Sequence, residues 1–161
     1  MDAQRDYARK DRDGDQVLKY AQKIISNPGK KDGLYWPVDS DSAGEESPLG
    51  PAFARAQSEG YLKGPGNENK PEPFHGYHFR ILTRQGKSAP GGAYDYIING
   101  NMIGGFALVA WPADYGDSGI MTFIINQQGK VYQKDLGEKT EAIVKDMKAY
   151  DPDPSWKRSK D

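Results

Sequence analysis

The sequence contains no cysteine. This absence excludes disulfide bonds, thiol catalysis and zinc sites built on thiolates, although it does not fix the compartment. There are only two histidines, His75 and His78. Their odd spacing places them on opposite faces of a strand, so we do not expect them to share a metal ion. A zinc site would need carboxylates from elsewhere in the chain.

Long apolar runs and an excess of one charge are also missing. The longest apolar run, residues 106–111, is far shorter than the ~18 residues that a membrane span requires, so we expect no membrane span in this chain. The 22 basic and 23 acidic residues are well mixed, which argues against nucleic acid as a partner. The charged first residues predict no signal peptide within this sequence. We interpret the basic residues 157–160 as a solvated tail.

The chain is rich in turn formers and aromatic residues. It has 19 glycines, 11 prolines and 10 tyrosines among 161 residues, which indicates one loop-rich globular domain with a real core. We divide this single domain, residues 1–161, into four parts. A helical segment covers residues 1–30, an irregular loop with a short helix covers 31–73, an antiparallel sheet covers 74–136, and a C-terminal helix and tail cover 137–161.

Short β-type runs alternate with turn signals through residues 74–136. We expect strands at 74–82, 106–111, 120–126 and 130–134, with the third central in the sheet because it is apolar on both faces. Asn99-Gly100 is a strong signal for a two-residue hairpin turn, and residues 127–129 form a three-residue turn. The glycine pairs at 91–92 and 104–105 open no helix, so we interpret them as turn and bulge geometry and not as phosphate cradles.

Helical spacing predicts helices at residues 2–10, 16–26 and 137–149. A short helix is expected at 48–58, with Ser47 as N-cap, Pro48 in the first turn and Gly60 ending it. Residues 64–73 have the composition of a loop. The fold class is therefore α+β, with a single antiparallel sheet of four to six strands packed against N-terminal helices. The expected core comprises Ile24, Tyr77, Phe79, Ile81, Tyr96, Ile98, Phe106, Leu108, Phe123, Ile125, Val131 and Ile143.

Three carboxylates at alternate positions are the best candidate for chemistry. Asp11, Asp13 and Asp15 can converge on one hard cation, and calcium prefers such oxygen ligands. The loop is not an EF-hand, because glutamines occupy its sixth and twelfth positions. Two interpretations stay open: a calcium site, or a solvated interhelical loop in which Asp15 caps the second helix. No cofactor is required, and calcium is the one candidate.

Aromatic residues supply a second candidate site. Tyr35 and Trp36, together with Trp111 and Tyr115, are typical of a platform for sugar or peptide binding. The alternative is that the loop containing Tyr35 and Trp36 folds over the sheet and joins the core, since one sheet face needs a cover.

Catalytic machinery is not visible, and we assign no catalytic residue. Ser118 in Gly-Asp-Ser-Gly lacks the glycine spacing and the following helix of a nucleophile elbow. A hydrolase would need a convergent cluster such as Asp95 or Asp114 with His78. We therefore lean towards a non-enzymatic protein.

Several long motifs resemble those of a known family. Residues 33–37 read Gly-Leu-Tyr-Trp-Pro, residues 74–82 read Phe-His-Gly-Tyr-His-Phe-Arg-Ile-Leu, and residues 104–112 read Gly-Gly-Phe-Ala-Leu-Val-Ala-Trp-Pro. With segments 20–24, 28–32, 46–51, 90–96, 122–137 and 151–156, they make the chain resemble an uncharacterised bacterial family, domain of unknown function 2950. The resemblance covers almost the whole chain.

The resemblance implies a setting but no activity. Members of that family look like exported envelope proteins with a signal sequence and an additional N-terminal half, and this chain resembles the C-terminal half alone. A periplasmic or extracellular location is thus expected for the full-length protein. A weaker resemblance, through residues 76–79, 109–112, 116–119, 122–123 and 129–132, is to the head domains of type IV pilins and pseudopilins, without their long apolar first helix.

Three functional hypotheses follow. The first is a non-enzymatic interaction or structural domain of the cell envelope, with calcium as a candidate stabilising ion. Its partner would be an unidentified envelope protein or the protein's own N-terminal half. The second is a small-ligand module that binds sugar or peptide at the aromatic loop. The third is an unrecognised hydrolase.

Overall fold

The computed structural model describes residues 1–38, 44–59 and 73–160 of the chain. The fold is mixed α+β, with a few short helices around a main antiparallel sheet of five strands. The helices are α1 (Asp2–Tyr7), α2 (Gly50–Ser58) and α3 (Thr140–Asp146). The strands are β1 (Tyr77–Leu82), β2 (Arg84–Gln85), β3 (Tyr94–Asp95), β4 (Ile97–Ile98), β5 (Asn101–Met102), β6 (Ala107–Pro112), β7 (Met121–Asn126), β8 (Tyr132–Asp135), β9 (Ala149–Tyr150) and β10 (Lys157–Arg158).

The main sheet has the strand order β1-β6-β7-β8-β10, and every neighbouring pair in it is antiparallel. The apolar strand β7 lies at its centre, as its sequence predicts. The turn between β7 and β8 places Gly129 at a φ of 79°, the left-handed conformation that glycine adopts without strain. The five strands therefore lie in the sheet in the same order as in the chain, with β1 and β10 at its two edges.

Two smaller sheets flank the main one. In the first, β2 pairs with β3 in antiparallel and with β9 in parallel orientation. In the second, β4 and β5 form the predicted hairpin, in which Asn99 and Gly100 have φ values of 50° and 79°. Two positive φ values in succession are the signature of a type I′ turn, whose twist matches that of the strands it joins.

Both faces of the main sheet are covered. On one face, strand alternation brings together Leu82, Ala107, Val109 and Ile124, all almost fully buried, beneath α3 and its buried Val144. On the other face, Phe79 and the buried Ile81 lie towards an aromatic group in which Tyr35 stacks on Phe53 at 4.1 Å. The first face holds more of the core.

The predicted core is therefore only partly right. Ile81, Tyr96 and Phe106 are buried, whereas Phe79, Ile98 and Ile143 are 38%, 47% and 43% exposed. The expectation favoured the Phe79 face of the sheet. Instead, α3 covers the opposite face through Val144 and leaves the neighbouring Ile143 in solvent.

The helix predicted at residues 16–26 is wrong. This segment is irregular backbone with bends at residues 16, 22 and 24, because distant groups occupy the backbone atoms that a helix would use. The buried amide of Gln4 donates to the Ala21 carbonyl and accepts from the Ala21 N–H, both at 2.8 Å. Tyr20 N–H donates to the Met102 carbonyl at 2.9 Å. Asp15 therefore caps no helix, although its carboxylate accepts the Val17 N–H.

Helix lengths at the two ends of the chain also differ from expectation. The helix α1 ends at Tyr7 and α3 covers only Thr140–Asp146. Residues 149–150 leave the helical path to pair with β2, and Lys157–Arg158 forms an edge strand where a solvated tail was expected. The helix predicted at 48–58 forms as α2, but it begins at Gly50, so Pro48 precedes the helix instead of lying in its first turn. The buried Ser47 hydroxyl has no hydrogen-bond partner among the described residues and so does not act as a side-chain cap.

Two predictions lie outside the described residues: Gly60 as the end of α2, and nearly all of the loop at 64–73. Within the described part of the chain, no helix is long and apolar enough to cross a membrane.

Candidate functional site

The three aspartates of the loop after α1 lie together. Asp11, Asp13 and Asp15 are exposed, and one carboxylate oxygen from each lies within 4.8 Å of the others. The Asp11 carboxylate accepts the N–H groups of Gln16 and Gly14, each at 2.8 Å. The Gln16 N–H is the larger cause of a pKa of Asp11 below its usual value. The backbone itself thus holds Asp11 in its ionised form.

Lys19 provides the positive charge at this loop. Its ammonium lies 2.5 Å from the Asp13 carboxylate and 2.6 Å from that of Asp15, and it also donates to the Asn101 side chain at 3.1 Å. Hydrogen bonds to the two aspartates raise the pKa of Lys19. A calcium ion would compete with this ammonium for the same oxygens, so calcium binding stays a prediction.

The four aromatic residues of the second candidate site do not form one surface. Tyr35 stacks on Phe53 on the Phe79 side of the sheet. Trp111 pairs in register with His78 and lies on the opposite face, with ring centroids 5.5 Å apart. Tyr115, in the loop after β6, donates its hydroxyl to Asp135 at 2.8 Å. A ligand-binding role for these residues stays a prediction.

Trp36 belongs to a packed cluster that the sequence does not reveal. The side chain is 3% exposed, and its indole N–H donates to the Glu45 carbonyl at 3.1 Å. The Arg12 guanidinium lies 5.6 Å from the Trp36 ring and 4.4 Å from the Tyr7 ring. Trp36 therefore packs against the N-terminal segment. This agrees with the second interpretation of the aromatic loop, in which it joins the core.

The groups that a hydrolase would need do not converge. Ser118 donates its hydroxyl to the Gly76 carbonyl at 2.8 Å and accepts the Asp114 N–H at 3.0 Å, which closes a turn. His78 contacts Trp111 on the main sheet, whereas Asp95 lies on β3 of the small sheet. Within the described residues, no hydrogen bond or ion pair links His78 to Asp95 or Asp114.

The outer edge of β1 is the most distinctive surface. Ala113 N–H donates to the Gly76 carbonyl at 2.9 Å, so Gly76 and Ala113 form a hydrogen-bonded antiparallel pair. In such a ladder the bonding residues alternate. His78, Arg80 and Leu82 therefore bond to β6. The N–H and C=O groups of the intervening residues point away from it.

Two of these outward-facing residues have no partner. Tyr77 exchanges both backbone bonds with Phe74, at 2.8 and 3.1 Å, and Thr83 bonds to Lys148 and Tyr96. Between them, the four backbone groups of Phe79 and Ile81 form no hydrogen bond within residues 1–38, 44–59 and 73–160. An unpaired edge of this kind is a template for a further strand.

A groove runs along this edge. It has a volume of about 280 Å³ and lies between residues 79–81 and the non-helical segment at residues 22–25. The segment's own backbone bonds to Leu34 and Tyr35 on its far side. Phe79 and Ile25, 38% and 48% exposed, give the groove apolar walls. We call this feature the β1 groove.

Sequence reasoning missed the β1 groove for a specific reason. Helical spacing predicts a helix over residues 16–26, and a helix at residues 22–25 would not form this wall of the groove. The sequence does carry one signal, since Pro112 lies opposite Tyr77 and has no N–H to donate. That fixes which residues of β1 bond inward, but only once the pairing of β1 with β6 is known.

Comparison with known proteins gives one match. A family model described as "Protein of unknown function (DUF2950)" matches residues 1–159. No curated protein matches the chain significantly. No solved structure matches it significantly either, so the likeness to pilin heads stays a prediction.

Proposed function

We propose that this chain, which belongs to the DUF2950 family of proteins of unknown function, is a non-enzymatic interaction domain of the bacterial cell envelope. In this proposal it captures an extended segment of a partner protein in the β1 groove. The observation that carries the proposal is the pair of residues on β1, Phe79 and Ile81, whose backbone groups are unpaired among the described residues. The envelope setting rests on the family resemblance of the sequence motifs.

Strand addition is the binding mode that such an edge supports. A partner segment in extended conformation would exchange main-chain hydrogen bonds with Phe79 and Ile81, and its alternate side chains would give specificity. Residues of the partner on the Phe79 side would contact that exposed ring, so apolar or aromatic residues fit there. The partner segment therefore has an apolar residue at every second position.

The expected affinity is modest. Hydrogen bonds of this type contribute about 1 kcal/mol net each, and the edge offers four groups. With apolar contact at Phe79 and Ile25, and after the cost of ordering the segment, the dissociation constant is expected in the micromolar to millimolar range. Such binding suits an interaction that is reversible or strengthened by a second contact.

Amide hydrogen exchange of the purified chain, observed by NMR, tests the proposal. In the free chain, the amides of Phe79 and Ile81 should exchange fast while the Arg80 amide, bonded to β6, stays protected. An acetylated peptide that alternates valine with threonine and lysine should slow exchange at Phe79 and Ile81 only. Phe79→Lys should abolish this protection, because a charge on an edge strand opposes pairing. Ile98→Lys is the matched control, since Ile98 is an apolar residue of comparable exposure on the β4–β5 hairpin.

Three results would overturn the proposal. The first is protection of both amides in the free monomeric chain, which would mean that the edge is already covered. The second is protection that grows with protein concentration, which would assign the edge to a second copy of the chain. The third is no change at either amide with the peptide at millimolar concentration.

A further inference from the structure

The three-stranded sheet carries a second concave surface, which shares no residue with the β1 groove. Asp95 on β3, Arg84 on β2 and Ala149 on β9 are partners in register and form one row across this sheet. The row lies in a concavity of about 370 Å³, which the backbone at Gly86 and Ala93 also lines. The small side chain of Ala149 leaves room beside the two charged ones. We call this feature the Arg84 concavity.

The two charges in this concavity are not used by the fold. Arg84 and Asp95 are both exposed. Within the described residues, neither side chain forms a salt bridge or a hydrogen bond, with the other or with a third group. A ligand can therefore contact both charges without breaking a salt bridge between them.

The rim of the concavity is built rigidly. Gln85, 2% exposed, donates its amide to the carbonyls of Pro90 and Gly92 at 2.8 and 2.7 Å and accepts the Tyr96 hydroxyl at 3.0 Å. Gly86 N–H donates to the Tyr150 carbonyl at 2.9 Å. A buried amide thus holds the loop at residues 86–92 in one conformation. A pre-formed rim lowers the ordering cost of binding.

We propose that the Arg84 concavity binds a small zwitterion of the α-amino acid class, either free or as the charged end of a larger molecule. Side chains directly opposite in an antiparallel pair start about 5 Å apart. Arg84 and Asp95 therefore present opposite charges at a spacing suited to a neighbouring carboxylate and ammonium. Arg84 meets the carboxylate with its planar fork of donors, and Asp95 accepts from the ammonium. The volume is at the small end of ligand pockets, which fits a ligand of this size.

This site is independent of the proposed strand capture. The two surfaces share no residue, so Phe79→Lys should leave zwitterion binding unchanged. Failure of one proposal therefore says nothing about the other.

NMR titration of the ¹⁵N-labelled chain tests this inference, with L-alanine as the probe. Acetate and ethylammonium, each with one of the two charges, are the comparison probes. L-alanine should shift the amide signals of Gly86, Asp95 and Ala149 in a saturable manner. Each single-charge probe should bind at least about tenfold more weakly, because each makes only one of the two charged contacts.

Matched variants locate the effect. Arg84→Gln and Asp95→Asn should each weaken L-alanine binding about tenfold or more, in line with the loss of one charge-assisted hydrogen bond. Arg158→Gln, an exposed arginine on β10, should leave it unchanged. Shifts that do not saturate, equal responses to acetate and L-alanine, or unchanged affinity in Arg84→Gln would each overturn the inference.

Discussion

Replacing Arg80 with methionine is expected to lower the free energy of unfolding by about 3 kcal/mol. Arg80 lies on β1, and its guanidinium reaches the C-terminal end of α3. It donates to the carbonyls of Val144, Lys145 and Met147, the last two at 3.1 and 2.6 Å. The last carbonyls of a helix have no partner within the helix itself. Arg80 therefore joins α3 to the sheet.

The magnitude follows from what the substitution leaves behind. Methionine fills part of the space but leaves the Met147 carbonyl without its donor, at about 1–3 kcal/mol. The Val144 carbonyl keeps the Met147 N–H as a donor at 3.0 Å and loses a charge-assisted hydrogen bond of about 1.5–3 kcal/mol. The exposed Lys145 carbonyl turns to water at little cost. An offset of about 1 kcal/mol comes from the Arg80 Nε, which is buried without a partner among the described residues and disappears with the substitution.

Urea unfolding followed by tryptophan fluorescence measures this loss, and the thermal midpoint should fall by roughly 6–12 °C. Arg84→Met is the matched control, because the exposed Arg84 side chain forms no hydrogen bond or ion pair with the described residues and its loss should stay within about 0.5 kcal/mol. Arg80→Lys keeps the positive charge but not the planar set of donors. Its free energy of unfolding should therefore lie between those of Arg80→Met and Arg84→Met. An Arg80→Met variant as stable as Arg84→Met would refute the reasoning.

Two further predictions concern the charged clusters. Lys19→Met removes the ammonium between Asp13 and Asp15. The thermal midpoint of the variant should therefore rise with millimolar calcium, while that of the parent chain should not. An equal rise in both proteins would contradict the role given to Lys19. Hydrogen bonding to Lys31 holds the pKa of Glu45 below its usual value. Its stabilisation is therefore present above the unfolded-state pKa of about 4.3 and is lost as the pH falls through the lower folded-state pKa. Since Glu45 is partly exposed, Glu45→Gln should lower the free energy of unfolding in urea by less than about 1 kcal/mol at pH 6 and leave it unchanged at pH 2. An equal loss at both pH values would contradict this account.

The β4–β5 hairpin and the centre of the main sheet could be predicted from sequence because their signals are local. Asn99-Gly100 dictates a type I′ turn on its own, and the apolar run at residues 120–126 suffices to identify a central strand. In both cases the deciding residues lie next to the structure they specify.

The rest of the fold depends on distant partners. Residues 16–26 have helical spacing, but the Gln4 side chain and the Met102 carbonyl hold them in a non-helical conformation. Likewise, Ala149 and Tyr150 follow a helix and become a strand only because β2 offers a parallel partner. Tertiary hydrogen bonds override local propensity at such places.

The candidate sites divide in the same way. The proximity of Asp11, Asp13 and Asp15 follows from their spacing, whereas the ammonium of Lys19 between them depends on the fold. Neither the β1 groove nor the Arg84 concavity could be predicted, because each requires the register of strands far apart in sequence.

The parallel pairing of β2 with β9 has a consequence for biosynthesis. Residues 84–85 leave the ribosome more than sixty residues before their partners at 149–150, a delay of several seconds at ordinary elongation rates. Through that interval the nascent chain lacks Tyr150 and Val144, two fully buried side chains of the core. Folding of this domain can therefore be completed only after residues 149–150 have left the ribosome. A product terminated before residue 144 would lack both side chains and would expose the incomplete core to proteases and chaperones.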